Sequence, residues 1–91
     1  MSLALSGAIY VNSDTAVADT ARRFATSEKK VKKAYITVTT KDQLFGTSAS
    51  QVFTVAAGGT IYLEEVDLST LYFKNAAAGQ NGTVAVLAVE I

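Results

Sequence analysis

The residues that could carry out acid–base chemistry are few. Glu64 and Glu65 are adjacent carboxylates, and Asp67 follows two positions later. Neighbouring residues of a strand point to opposite faces of a sheet, so Glu64 and Glu65 are poorly placed to share one proton. Asp67 and Glu65 could touch calcium, but calcium takes about six to eight oxygen ligands and no loop here supplies that density. A solvent-exposed strand edge is the better interpretation of these acids.

Nucleophilic catalysis and zinc binding are excluded by composition. The 91 residues include no His and no Cys. Ser-His-Asp and Cys-His catalysis need these side chains, and tetrahedral zinc sites are built largely from them. Gly58 and Gly59 lack the Lys and the Ser or Thr of a phosphate-binding loop. The sequence therefore predicts that the protein is not an enzyme, with no catalytic residue, no bound metal and no cofactor.

The strongest candidate for binding is the basic stretch of residues 22–41, in which Glu28 is the single acid. Phe24 and Tyr35 are interleaved, and basic plus aromatic residues are typical of a groove for single-stranded nucleic acid. The formal net charge of 0 and the pI of about 6.1 disfavour nucleic acid, however. An acidic protein partner, including another copy of the chain, fits better. The basic residues of this stretch are Arg22, Arg23, Lys29, Lys30, Lys32, Lys33 and Lys41.

The charges are segregated along the chain. Residues 1–41 carry seven Lys and Arg against three acids, and residues 42–91 carry one Lys against five acids. The two parts therefore have net charges of +4 and −4. If the fold keeps them apart, copies of the molecule could dock edge to edge with complementary charge setting the register. The other interpretation is a surface on which the fold mixes the two signs.

Period-two alternation of apolar residues organises most of the chain into strands. Residues 58–74 hold two strands around a polar corner at 65–69, and residues 29–40 form the clearest strand, rich in β-branched side chains. The sequence predicts an all-β fold, a small β-sandwich or barrel of about six to seven short antiparallel strands. The predicted extended segments cover residues 1–12, 29–40, 43–46, 51–57, 60–66, 70–74 and 83–91.

The N-terminal part of the chain is the ambiguous one. Ile9 and Val11 alternate with other residues as in a strand, so we interpret residues 1–28 as an N-terminal arm and residues 29–91 as the β domain. Alanine-rich sequence and a narrow stripe of apolar residues leave a short helix near residues 15–25 open, although the stripe has one large side chain.

The last predicted strand is apolar on both faces. Val84, Val86 and Ala88 form one face, and Leu87 and Val89 belong to the other. Such a strand is covered on both sides, either as the central strand of a sandwich or at a subunit interface. Because a small domain has little material to cover both faces, we favour the interface. The predicted protein-interface residues are Ile9, Val11, Arg22, Arg23, Lys29, Lys30, Lys32, Lys33, Leu87 and Val89.

Neither a membrane span nor a signal peptide is expected. No apolar run reaches the ~18–20 residues that cross a bilayer, so no membrane contact is predicted. The first residues have no basic region ahead of their apolar patch, unlike a secretory signal. Hydrophobic residues make up 49% of the chain, which indicates a folded domain.

Residues 30–91, about two thirds of the chain, contain four short motifs: KKAYITVTT, QLFGTSAS, FTVAAGGT and VDLSTLYFKNAAAGQNGTVAVLAV. In these motifs the chain resembles small bacteriophage virion structural proteins. The resemblance implies a non-enzymatic capsid decoration (cement) protein that forms a homo-oligomer and contacts the major capsid protein or another virion protein. The implied location is the virion, assembled in the host cytoplasm. Residues 1–28 depart from the pattern and are where attachment is expected.

Two other functions stay open. A phage tail or head–tail accessory protein would show the same sequence style. A small carbohydrate- or host-surface-binding β module could use tyrosines as stacking faces, although the chain lacks Trp, the usual platform for sugars. The tyrosines are Tyr10, Tyr35, Tyr62 and Tyr72.

Overall fold

The computed structural model describes residues 8–17 and 19–91 of the chain, and it confirms the predicted all-β fold. Seven strands form two antiparallel sheets, of four and three strands, which pack as a sandwich. The polar corner predicted at residues 65–69 lies later in the chain, because β5 continues to Asp67 and a short 3-10 helix follows at Leu68–Thr70. The strands are β1 (Ile9–Val17), β2 (Lys30–Thr40), β3 (Gln43–Gly46), β4 (Gln51–Val55), β5 (Thr60–Asp67), β6 (Tyr72–Asn75) and β7 (Gly82–Glu90).

The chain crosses repeatedly between the two sheets. The strand order is β1-β7-β2-β5 in the four-stranded sheet and β4-β3-β6 in the other. Among the described strands, β3 and β4 alone are consecutive and paired. Gly58-Gly59 and Asn81-Gly82 are sequences typical of hairpin turns, but both join strands of different sheets. Gly58 does take a positive φ of 88°, but the turn is tied to β2 by a hydrogen bond from its N–H to the Val38 carbonyl.

The core lies between the inward faces of the two sheets. The predicted alternation of β2 and the first apolar face of β7 are both confirmed, because these side chains are buried. Phe73 from the three-stranded sheet is fully buried and lies between two other rings, with centroid distances of 4.7 Å to Phe24 and 5.7 Å to Phe45. The buried apolar residues are Phe24, Val31, Ala34, Ile36, Val38, Phe45, Val55, Leu68, Phe73, Val84, Val86 and Ala88.

The described residues between 15 and 25 form no helix. β1 continues to Val17 and pairs with β7, and residues 19–28 are irregular. Arg22 makes two backbone hydrogen bonds with Phe73, each of 2.8 Å, and Phe24 enters the core. Backbone pairing with Phe73 and burial of Phe24 therefore stabilise this segment more than the helix propensity of its alanines would.

Residues 19–28 also close one side of the sandwich. Their contact with Phe73 covers the free edge of β6. From the other sheet, the Tyr10 hydroxyl donates to the Phe24 carbonyl at 3.3 Å, and Asn12 Nδ2 donates to the same carbonyl at 3.4 Å. The segment thus bridges β1 and β6 and seals the gap between the sheets there.

A polar cluster holds the connection between β6 and β7. Asn75 is 5% exposed, and its Nδ2 donates to Asp19 Oδ1 at 2.8 Å and to Asn81 Oδ1 at 2.7 Å. The buried Gln43 donates from Nε2 to Asn75 Oδ1 at 3.4 Å. The hydrogen bonds from Asn75 and from the Gly79 backbone lower the pKa of Asp19 below its usual value. These bonds fix the loop against the end of β3.

Candidate interaction surface

The outer face of the four-stranded sheet, the side away from the core, carries a row of exposed apolar and aromatic residues. Val11 lies opposite Leu87, Leu87 opposite Tyr35, and Tyr35 opposite Tyr62, so the row crosses all four strands in register. The exposed fractions are 68% for Val11, 50% for Leu87, 50% for Tyr35 and 42% for Tyr62. Directly opposed side chains of neighbouring strands lie close enough to touch, so the row forms one continuous surface.

The next row joins an apolar half to a charged half. Ile9 lies opposite Val89, Val89 opposite Lys33, and Lys33 opposite Glu64. Ile9 is 62% exposed and Val89 is half-buried. The fold therefore brings together Ile9, Val11, Leu87 and Val89, the apolar residues that the sequence placed at an interface. Lys33, from the basic stretch, joins them on the same face.

On the other side, the apolar row is bordered by small and hydroxyl side chains. Ser13 lies opposite Ala85, Ala85 opposite Thr37, and Thr37 opposite Thr60. The Thr37 and Thr60 hydroxyls are hydrogen-bonded at 2.9 Å. The apolar row, the row from Ile9 to Glu64 and the row from Ser13 to Thr60 together are called the outer face below.

Tyr35 of β2 and Tyr62 of the edge strand β5 form an exposed aromatic pair on the outer face. Their ring centroids are 4.9 Å apart and their planes are tilted by 39°. Partial desolvation and the neighbouring Glu64 carboxylate raise the pKa of Tyr62 above its usual value of 10.0. Neither tyrosine was among the interface residues predicted from the sequence. The alternation of β2 was the signal that could have found Tyr35, because it points opposite to the buried Ala34 and Ile36.

The two arginines of the basic stretch lie away from the outer face. Arg22 forms an ion pair with Asp14 through Nε and Oδ2. Arg23 donates from a terminal nitrogen to the Ser69 carbonyl at 3.2 Å and lies over the Tyr72 ring, 5.3 Å from its centroid. Both side chains therefore contact neighbours within the same molecule.

The lysines are also dispersed. Lys29 lies 3.4 Å from Glu90 and 5.0 Å from the centroid of the Tyr10 ring. Lys30 lies 3.4 Å from Glu28. Lys32 is exposed where the register between β2 and its neighbours shifts.

The fold therefore mixes the two charge signs. Acids from the second half of the chain lie beside cations from the first, as Glu90 does beside Lys29 and Glu64 beside Lys33. Asp67 accepts hydrogen bonds from the Lys29 backbone and from Ser69, and these bonds lower the pKa of its carboxyl below the usual value. Of the two interpretations of the charge pattern, the mixed surface is the one that the structure supports.

A second apolar surface lies on the side of the sandwich opposite to residues 19–28. This edge groove is lined by residues from the β3–β4 hairpin, from β5 and from the corner before β6, and it has a volume of about 390 Å³. Phe53 is 61% exposed at its rim, whereas Phe45 is buried at its base. The edge groove and the outer face share Tyr62, since the groove is lined by Phe45, Gly46, Phe53, Ile61, Tyr62, Leu63 and Leu71.

No protein-family model matches this sequence, and a comparison with curated proteins gives no significant match. The role in a virion therefore stays a prediction from the sequence motifs. Within the described part of the chain, no three acidic side chains are grouped so as to hold a metal ion, and no helix is long and apolar enough to cross a membrane.

Proposed function

We propose that this chain is a non-enzymatic structural protein of a bacteriophage virion, which decorates or cements the capsid shell through its outer face and associates with its own copies. The observation that carries the proposal is the exposed row from Val11 through Leu87 and Tyr35 to Tyr62. Contiguous exposed apolar surface of this kind marks interaction sites in soluble proteins. The motif resemblance of residues 30–91 supplies the virion context.

The size of the outer face favours binding in many copies. Four strands about 4.8 Å apart and three rows about 6.8 Å apart span roughly 400 Å² of sheet. A standard interface buries about 800 Å² on each partner. One such contact would be weak, but copies linked to one another on a repetitive shell would bind with much higher avidity. The proposed partners are therefore the major capsid protein, or another virion protein, and further copies of the chain.

The composition of the outer face predicts how binding responds to salt. Tyr35 and Tyr62 would act as aromatic anchors, and aromatic anchors dominate the energy of many interfaces. Lys33 and Glu64 lie at the rim, where charges orient partners more than they add affinity. We therefore expect attachment to survive about 1 M salt, at which the Debye length is about 3 Å.

The test is co-sedimentation with particles in a density gradient of a lysate from a culture producing the phage. The wild-type protein is expected in the particle band. Leu87→Lys, which places a charge in the centre of the apolar row, is expected at the top of the gradient. Thr54→Lys is the control, since Thr54 is exposed on the other sheet. Wild-type protein that is absent from the particle band would overturn the proposal.

A carbohydrate is the second candidate partner, because the exposed Tyr35–Tyr62 pair offers stacking surfaces for a sugar ring. Binding of the protein to a glycan array would favour a carbohydrate-binding module over a capsid decoration protein, provided that the Tyr35→Ala variant no longer binds. Immunogold labelling of particles tests the remaining alternative, a tail or head–tail protein, because the label would then lie away from the capsid shell.

A further inference from the structure

We propose that a second copy of this chain covers the edge groove, by pairing its β4 antiparallel with β4 across a two-fold axis at Phe53. The two three-stranded sheets would then join into one continuous sheet, with the Phe53 rings of the two copies side by side. This inference names the contact between copies in the proposed function, and it rests on that function for its biological setting alone.

β4 is an edge strand that is open to pairing. In the order β4-β3-β6 it pairs with β3 alone among the described strands, whereas the opposite edge strand, β6, also pairs with Arg22. The free side of an edge strand presents a row of N–H and C=O groups with which a strand of another chain can pair. The β4 edge therefore offers a place for a second strand, and the β6 edge is already covered.

Phe53 is placed so that such a pairing would cover it. It lies opposite Phe45 in the ladder, so both rings are on the face of the sheet that points to the core. Phe45 is buried, but Phe53 lies at the sheet edge and is 61% exposed. A fully covered phenylalanine buries about 150–250 Å², so Phe53 leaves roughly 120 Å² in contact with water. The Phe53 ring of a second copy would lie against this surface, and both rings would lose water.

The distribution of charge favours a second copy as the partner. Across a two-fold axis the same patch of both copies meets, so a charge near the axis lies beside its own equivalent and is repelled. Residues 43–63, which include all of β3 and β4, contain no Lys, Arg, Asp or Glu. The outer strands of the four-stranded sheet do carry acids, namely Asp14 in β1 and Glu64, Glu65 and Asp67 in β5. Among the described edge strands, β4 is therefore the one that can pair with itself without bringing like charges together.

The symmetry of this dimer would also suit attachment to a shell. A two-fold axis perpendicular to the joined sheet keeps both four-stranded sheets on the same side of it. The outer faces of the two copies point away from the joined sheet, so they would point in the same direction. Two outer faces of roughly 400 Å² each could then contact one shell together, with the avidity that a single small contact lacks.

The contact is short, so we expect the dimer to be weak in solution. The five residues of β4 extend about 17 Å, and stacked sheets lie about 10 Å apart. A contact of these dimensions falls well below the roughly 800 Å² per partner of a standard interface. The measurements therefore use protein concentrations from about 10 µM to 1 mM, which cover the weak range of affinity.

Disulfide cross-linking tests the register, because the chain has no cysteine of its own. With the axis at Phe53, Val52 of one copy lies directly opposite Thr54 of the other. The Cα atoms of the two Val52 residues, or of the two Thr54 residues, would be about 8 Å apart, which is too far for a disulfide without backbone movement. Under mild oxidation, a mixture of Val52→Cys and Thr54→Cys should therefore form disulfide dimers severalfold faster than either variant alone.

Two lysine variants of neighbouring residues give a matched comparison by light scattering at increasing concentration. Phe53→Lys removes the ring and places a charge beside its own equivalent, so dimerisation should weaken by about tenfold or more. Thr54→Lys adds the same charge on the opposite face of β4, where Thr54 is exposed, so the dimer should persist. Leu87→Lys changes the outer face alone and should also keep the dimer.

Three results would overturn the inference. They are a wild-type protein that stays monomeric at the highest concentration, a Phe53→Lys variant that dimerises as well as the wild type, and a mixture of the cysteine variants that cross-links no faster than each alone. Particle binding through the outer face is tested separately by Leu87→Lys, so the proposed function can stand while this inference fails. A wild type that dimerises but is absent from the particle band would give the reverse outcome.

Discussion

Replacement of two phenylalanines by alanine should separate the closed core from the open groove. Phe73 is fully buried and lies between the rings of Phe24 and Phe45. Phe53 is 61% exposed on β4. The same substitution at both positions removes the same atoms. The difference between the two losses of unfolding free energy therefore reports how closely each ring is packed.

The expected magnitudes follow from burial. Phe73→Ala should lower the free energy of unfolding by about 3–5 kcal/mol, the range for a buried phenylalanine. A fully buried side chain of this size contributes about 1.5–3 kcal/mol by transfer, so Phe53, about two fifths covered, should lose about 1 kcal/mol. A domain of 91 residues has a total stability of about 5–14 kcal/mol. Phe73→Ala therefore removes a large share of it.

Urea unfolding followed by circular dichroism measures both costs. The slope of the unfolding free energy against urea concentration should be the same for the wild type and both variants, so that the midpoint reports stability alone. Protein concentration should be low, near 1 µM, because any self-association of the folded protein would stabilise it by mass action. Equal costs for Phe53→Ala and Phe73→Ala at that concentration would contradict the open groove.

Three further predictions test the packing and the charges. Gly82→Ala should cost about 1–3 kcal/mol, because an added Cβ would clash with the Thr40 carbonyl oxygen and lie 2.7 Å from Gln43 Nε2, and thermal unfolding measures this. The pKa of Asp67 is lowered chiefly by the hydrogen bond from the Lys29 backbone, so its contribution to stability is complete above the unfolded value, near 3.8, and is lost as the pH falls through the lower folded value. The melting temperature of Asp67→Asn should therefore fall less steeply below about pH 3.8 than that of the wild type, and parallel curves would contradict this role. Lys29→Met should change the unfolding free energy by less than about 1 kcal/mol, because the partly exposed pair with Glu90 is screened by water, and a larger loss in urea unfolding would indicate a stronger pair.

The strands could be predicted from the sequence because their alternation reflects burial on one face. The clearest case is β2, where Ala34, Ile36 and Val38 are all buried as expected. A break between two strands after β5 is also found, as the 3-10 helix Leu68–Thr70, although it starts three residues later than the predicted corner. These features depend on residues that are close in the chain, so local patterns suffice.

The pairing of the strands could not be predicted in the same way. Glycine turns at Gly58 and at Gly82 are compatible with a hairpin and with a crossing between sheets, and the choice depends on contacts with β2 and β3. The conformation of residues 19–28 likewise depends on Phe73, about fifty residues further along the chain. Local propensity cannot report such distant partners.

The residues of the candidate interaction surface also divide into those that local patterns could place and those that depend on distant contacts. Ile9, Val11, Leu87 and Val89 share a face because β1 and β7 are paired, and alternation within each strand already placed them on its exposed side. The basic residues, in contrast, were adjacent in the sequence but separate in space, since the chain between Arg22 and Lys33 passes from the β6 edge to the outer face. Proximity in sequence was therefore a poor guide to a shared surface for the charges.

The mixing of charge changes how assembly should be driven. If net charges of +4 and −4 had stayed on separate faces, attraction between copies would weaken strongly with salt. Glu90 beside Lys29 and Glu64 beside Lys33 remove that separation within each molecule. The largest exposed apolar surfaces are the outer face and the edge groove, which share Tyr62. Because burial of apolar surface is largely independent of salt, any contact made through these surfaces should persist under conditions that would dissociate a charge-driven assembly.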